Sequence, residues 1–247
     1  MSYCWFFLKK TVFYINDLPI ENVARWPHLG HIITENLHDS DEINNKCRTF
    51  VGQVNNLLCY FGKLSSHVKS RLFQSYCTSL YGSVLWPVAE CALSGFGVAW
   101  RKALRRVWNL PLNSHCCLLS LLSDNLPFVD EVCSRTIKFI GNCIDHCSEL
   151  VQFIARQALF FTKCSTPLGR NMAQLSSRYG FGVTDWLHQR DRLCRVVKQT
   201  VKKNILDADR RVASMLFELI SIRDGCFTLT HFNKDEIHEY IRAVSTL

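Results

Sequence analysis

Nowhere in the 247 residues does an apolar run reach the roughly 18 residues needed to cross a bilayer, so no membrane-spanning segment is expected. The Trp5-Phe6-Phe7-Leu8 run is too short for the core of an export signal, and its lysines follow it rather than precede it. An intracellular protein of the nucleus or cytoplasm, with no membrane partner, is therefore expected. Internal repeats and low-complexity tracts are also missing, which sets aside repeat arrays and disordered linkers. Metal-ligand spacing is poor: Cys143-Ile-Asp-His146-Cys147, even with His115, Cys116 and Cys117 added, lacks the two ligand pairs of a structural zinc site. No cysteine–histidine pair stands out as an activated nucleophile.

What the chain does have is apolar bulk, thiols and positive charge. Hydrophobic residues make up 48%, enough for a sizeable core at this length. The 13 cysteines are odd in number in a long chain without an export signal, which points to reduced thiols packed as small apolar residues. The net charge of +8 is concentrated, because residues 151–205 carry ten basic and two acidic side chains. A concentrated basic surface attracts polyanions, of which nucleic acid is the commonest.

Hydrophobic periodicity changes along the chain. Val12 to Ile15 and Leu18 to Val23 read as short strands around an Asn16-Asp17 turn, and Arg25 to Ile33 continues extended. From Ile43 to Phe61 apolar residues recur at steps of three and four, the spacing of one helix face, with Asp39 and Glu42 as a capping box and Gly62 as a stop. A second helix from Ser65 or Ser66 is expected to bury Val68, Leu72, Phe73, Tyr76 and Leu80. A third, from Val98 to Trp108, has Trp100, Ala103, Leu104 and Val107 on its apolar face and Arg101, Lys102, Arg105 and Arg106 opposite. Further helices are predicted over 114–123, 127–147, 149–162, 167–179, 185–203, 208–222 and 234–245, with a short strand near Phe227. The acidic pairs Asp39/Asp41 and Asp207/Asp209 fall at predicted helix starts, where they satisfy free amides.

Trp26-Pro-His-Leu-Gly-His-Ile-Ile33 resembles the primer-grip hairpin of reverse transcriptases from LINE-type (non-LTR) retrotransposons. Other segments match that family in order: Phe50-Val51-Gly52-Gln53 with Phe61-Gly62, Leu72-Phe73, Leu80-Tyr81-Gly82-Ser83, the run Ala99 to Trp108, Leu110-Pro111, His115-Cys116, and Ile222-Arg223-Asp224-Gly225. The resemblance implies a mainly α chain, with a multi-helix thumb and C-terminal bundle and a small N-terminal β-hairpin remnant. It divides the sequence into a palm-end remnant over 1–36, a thumb-like helical domain over 37–112 and a C-terminal helical region over 113–247. No aromatic-x-Asp-Asp signature precedes the hairpin, so the palm carboxylates that hold two Mg²⁺ ions in the family's polymerase are expected to be absent. The expectation is a nucleic-acid-binding fragment that is not an enzyme by itself and holds no cofactor. Its implied partners are an RNA template and DNA primer, or the RNA–DNA duplex.

The residues expected to touch nucleic acid fall into three groups. His28, Leu29 and Gly30 form the tip of the grip-like hairpin, where the family presses on the primer strand. Arg101, Lys102, Arg105 and Arg106 line one helix face, with Lys63, Lys69 and Arg71 extending it. Arg190, Arg192, Arg195 and Lys198 lie in the densest basic stretch. The competing reading is a helical interaction module without a polymer ligand, or a non-functional relic of such an element.

Overall fold

The computed structural model describes residues 13–112, 119–123, 125–160, 166–188, 192–204 and 207. Asn16-Asp17 and Leu29-Gly30 take positive φ throughout (49° and 62°, then 48° and 78°), as two-residue turns matched to strand twist require. Each closes an antiparallel hairpin. Strand β1 (Tyr14–Ile15) pairs with β2 (Leu18–Pro19), and β3 (Arg25–His28) pairs with β4 (His31–Thr34), with Trp26 opposite Ile33. The two hairpins form separate two-stranded sheets.

The rest is mainly helical. Helix α1 spans Ser40–Phe61 and buries Ile43, Phe50, Val54 and Leu57. Val51 and Phe61, expected inside, are instead exposed. The predicted capping box does not form, because Asp39 makes no side-chain cap bond and the Glu42 carboxylate accepts the Ile32 amide at 2.9 Å. Asp41 is likewise drawn to the hairpin, pairing with Arg25 at 2.8 Å.

Helix α2 (Ser66–Leu72) runs directly into a π-helical turn over Phe73–Cys77. The wider π turn keeps inward positions four apart, so Lys69, Phe73 and Cys77 are buried. Val68 and Tyr76, expected in the core, face out as a result. A short 3₁₀ turn, Ser83–Leu85, leads to α3, which spans Glu90–Val107 and so begins eight residues before its predicted start at Val98.

Helices α4 (Leu119–Ser123), α5 (Phe128–Ile144), α6 (Glu149–Phe160), α7 (Pro167–Tyr179) and α8 (Val183–His188) follow, and residues 192–204 are helical. Helix α7 has both of its ends written in the sequence. The Thr166 side chain accepts the Gly169 amide, Pro167 occupies the first turn, and Gly180 closes the helix at φ 73°. The helices predicted over 208–222 and 234–245 and the strand near Phe227 lie outside the described residues.

One continuous core runs from Ile43 to Val201. At its centre Phe50 stacks on Trp100 at 5.5 Å, Phe73 meets Trp100 edge-on at 5.3 Å, and Phe96 stacks on Phe128 at 4.0 Å. Polar bonds tie distant segments across it. Asn171 accepts the Val88 amide and donates to the Trp86 carbonyl. The buried Asp130 carboxylate receives Tyr179 Oη at 2.6 Å and Arg178 Nη2 at 3.0 Å, joining α5 to α7. Cys77 and Cys133 are buried as expected, and burial pushes both thiols up to about 11, whereas Cys59, Cys91 and Cys147 are exposed.

Candidate nucleic-acid interface

The hairpin tip is open to solvent. His28, Leu29 and Gly30 are all exposed, and a Cβ built on Gly30 would meet nothing within 4 Å, so the glycine serves the turn. The tip is fixed from one side: Lys46 Nζ donates to the Gly30 carbonyl at 2.9 Å. Below it His31 sits between two carboxylates, with Nε2 3.6 Å from Asp39 and Nδ1 3.6 Å from Glu42. Burial raises the Asp39 carboxyl above its ordinary value, with the His31 charge opposing. His31 also packs on Gly82, where a Cβ would lie 2.9 Å from Nδ1. These contacts anchor the hairpin on the helices, and sequence reading missed them because it assigned Asp39 and Glu42 to capping.

The α3 cluster divides. Arg101, Lys102 and Arg106 are exposed, and Arg106 Nη1 donates to Asn55 Oδ1 on α1 at 2.7 Å. Arg105, expected to be exposed beside them, is instead buried. Helical phase does not account for this, since position 105 falls between the exposed positions 101 and 102 and opposite the arc of Ala103, Leu104 and Val107.

Of the three cations expected to extend this surface, Lys63 and Arg71 are exposed, whereas Lys69 is fully buried. Lys69 Nζ donates to Asn109 Oδ1 at 3.0 Å, and burial pulls its pKa below the ordinary lysine value. Asn109 follows α3 at φ 54°, so the ammonium lies at that helix's C-terminal end, where a cation is favoured. Lys69 is therefore a structural residue and unavailable to phosphates. Arg71 lies in a groove with His67, Gln74 and Trp108, and the His67 ring meets Trp108 edge-on at 5.1 Å.

In the 192–204 helix, Leu193, Val197 and Val201 point into the core while Arg192, Arg195 and Lys198 face out. Arg190 lies outside the described residues. Among the described residues no group of three or more histidine, cysteine or acidic side chains is arranged to hold a metal ion, and no helix is long and apolar enough to cross a membrane. His146 spends its Nδ1 on the Ser148 amide at 3.1 Å, and His115, Cys116 and Cys117 lie outside the described residues. No family model, curated protein or solved structure matches the chain.

Proposed function

We propose that this chain binds nucleic acid through the phosphate backbone, as the thumb and C-terminal helical region of a LINE-type reverse transcriptase would, without catalysing synthesis. The ligand is an RNA template paired with a DNA primer. The observation that supports this most is the outward set of Arg101, Lys102 and Arg106 on α3, in a helix whose residues 91–107 include no acidic side chain. A second outward set, Arg192, Arg195 and Lys198, has its apolar neighbours buried, so its cations are presented from a fixed helix. Such contacts carry no base information and release counterions, so binding is indifferent to sequence and weakens with salt.

The test is a salt series of fluorescence-anisotropy titrations with labelled RNA–DNA duplex and single-stranded RNA. A dissociation constant on the order of 10⁻⁴–10⁻⁶ M is expected near physiological salt. Reversing Arg101, Lys102 and Arg106 to glutamate should weaken binding to all sequences alike. It should also flatten the plot of log affinity against log salt by about 2–3. Reversing Arg192, Arg195 and Lys198 should act in the same direction, whereas Lys69→Met should not change affinity. Undetectable binding at low salt, or affinity untouched by both reversals, rejects the reading.

A further inference from the structure

Helices α1 and α3 run side by side, and the line between them opens as a groove of about 420 Å³. Its floor is apolar, formed in part by the buried Phe50, Val54 and Ala103. Its lips are apolar too, yet open: Val51 is 40% exposed, Val98 42% and Leu112 73%. Toward the C-terminal end of α3 the groove becomes cationic, with Lys102 and Arg106 one turn apart. Asn55 holds the Arg106 guanidinium from the α1 side. None of the described residues lining the groove is acidic. At the other end Gly95 leaves the wall bare, since a Cβ there would meet nothing within 4 Å.

We propose that this groove docks an amphipathic helix of a partner protein, with apolar side chains on its inner face and carboxylates flanking the end that meets Lys102 and Arg106. Three features select that occupant. From Gly95 to Arg106 the groove is roughly 17 Å long, about three helical turns, which suits anchors at i, i+3 or i+4, and i+7. Both walls are helices whose backbone groups are already bonded internally. An extended segment would find no ladder partners here, whereas a helix brings its own hydrogen bonds satisfied. Polarity decides the flank, because two cations with no acidic residue among the described lining complement an acidic edge. Nucleic acid fits the groove less well. Phosphates gain nothing from Val51, Val98 and Leu112, and burying these three offers an apolar chain the favourable transfer that open exposure forfeits.

The proposal does not rest on nucleic-acid binding, although Lys102 and Arg106 serve both surfaces, and it is tested on the full chain. The probe is a fluorescein-labelled, three-turn helical peptide with leucines at i, i+3 and i+7 and glutamates along one flank. Its control replaces each glutamate with lysine. The acidic peptide should bind saturably with a dissociation constant on the order of 10 μM, and the lysine peptide at least about tenfold more weakly. Val98→Gln and Val51→Gln alter only the lips and are exposed enough to leave folding intact, which circular dichroism checks. Each should weaken peptide binding by about five- to tenfold while leaving RNA–DNA duplex binding unchanged. Equal binding of both peptides, no binding of either, or insensitivity to both glutamine variants overturns the proposal. So does loss of peptide binding to excess duplex with no effect of either variant, which would mark the surface as a phosphate site.

Discussion

Residues 13–38 and the described residues from 40 to 204 are held by different kinds of force. Residues 13–30 are exposed throughout, and Phe13, Tyr14, Ile15, Leu18 and Trp26 all present more than half of their surface to solvent. The β3–β4 hairpin meets the helices through polar contacts: Ile32 to Glu42, Gly30 to Lys46, Arg25 to Asp41, and His31 to Asp39 and Glu42. The helical body is held instead by aromatic and aliphatic burial around Phe50, Phe73, Phe96, Trp100 and Phe128. Local pattern suffices to form a hairpin of either kind, but only the body converts it into a nonlocal core. Exposed strand edges and rings of this sort are also the surface most prone to self-association.

The largest expected effect tests this contrast directly. Trp100→Ala removes a side chain that is 1% exposed and contacts Phe50, Phe73 and Phe128. It should cost about 3–5 kcal/mol in urea denaturation. Trp26→Ala, the same substitution at a side chain 58% exposed, should change stability by less than about 0.5 kcal/mol. Comparable losses at the two positions would mean that the hairpin belongs to the core and that the contrast is false.

A smaller effect is expected where the two regions meet. Glu42 is fully buried and meets the Ile32 amide, His31 and Lys46. Glu42→Ala should cost about 2 kcal/mol, because an amide and a cation lose a charged partner. The loss should be local. Hydrogen exchange at Ile32 and its strand should accelerate, whereas amides in the middle of α3 and α5 should keep most of their protection. Uniform loss of protection along the chain would show that the polar clasp supports the body as well.

Much of the helical layout is legible in the sequence because its determinants are local. Thr166, Pro167 and Gly180 bracket α7, and the predicted bounds of 167–179 coincide with the observed ones. The first half of α3 is not legible, since Gly95 and Gly97 interrupt the pattern and its buried anchor Phe96 packs on Trp86, Phe50 and Phe128 from elsewhere in the chain. The basic surface is legible only in part. A charge can be counted from sequence, but Arg105 and Lys69 are buried, and neither burial is visible without knowing which residues pack against them. Likewise Asp39 and Glu42 form a convincing capping box in sequence, yet a backbone amide ten residues upstream takes the glutamate.

The smallest expected effect concerns Lys69, a charged side chain of the body that is fully buried. If apolar burial holds the body together, its ammonium is tolerated rather than needed. Lys69→Met keeps the length of the side chain and removes the charge. It should leave stability unchanged or raise it by about 1 kcal/mol, since a buried charge replaced by a well-packed apolar group commonly loses nothing. Asn109 keeps solvent access for its amide at its exposed position, so no acceptor is stranded. The pH dependence sharpens the test. Burial lowers the Lys69 pKa in the folded state, so the unfolded chain binds the proton more tightly between that depressed value and the ordinary lysine value of 10.5. Stability attributable to this residue should therefore rise with pH across that window. The gap between Lys69→Met and the parent chain, measured by urea denaturation at a series of alkaline pH values, should close as pH increases. A gap that widens, or a variant about 2 kcal/mol or more less stable than the parent at neutral pH, would mean that the bond to Asn109 supports the packing of α2 against α3.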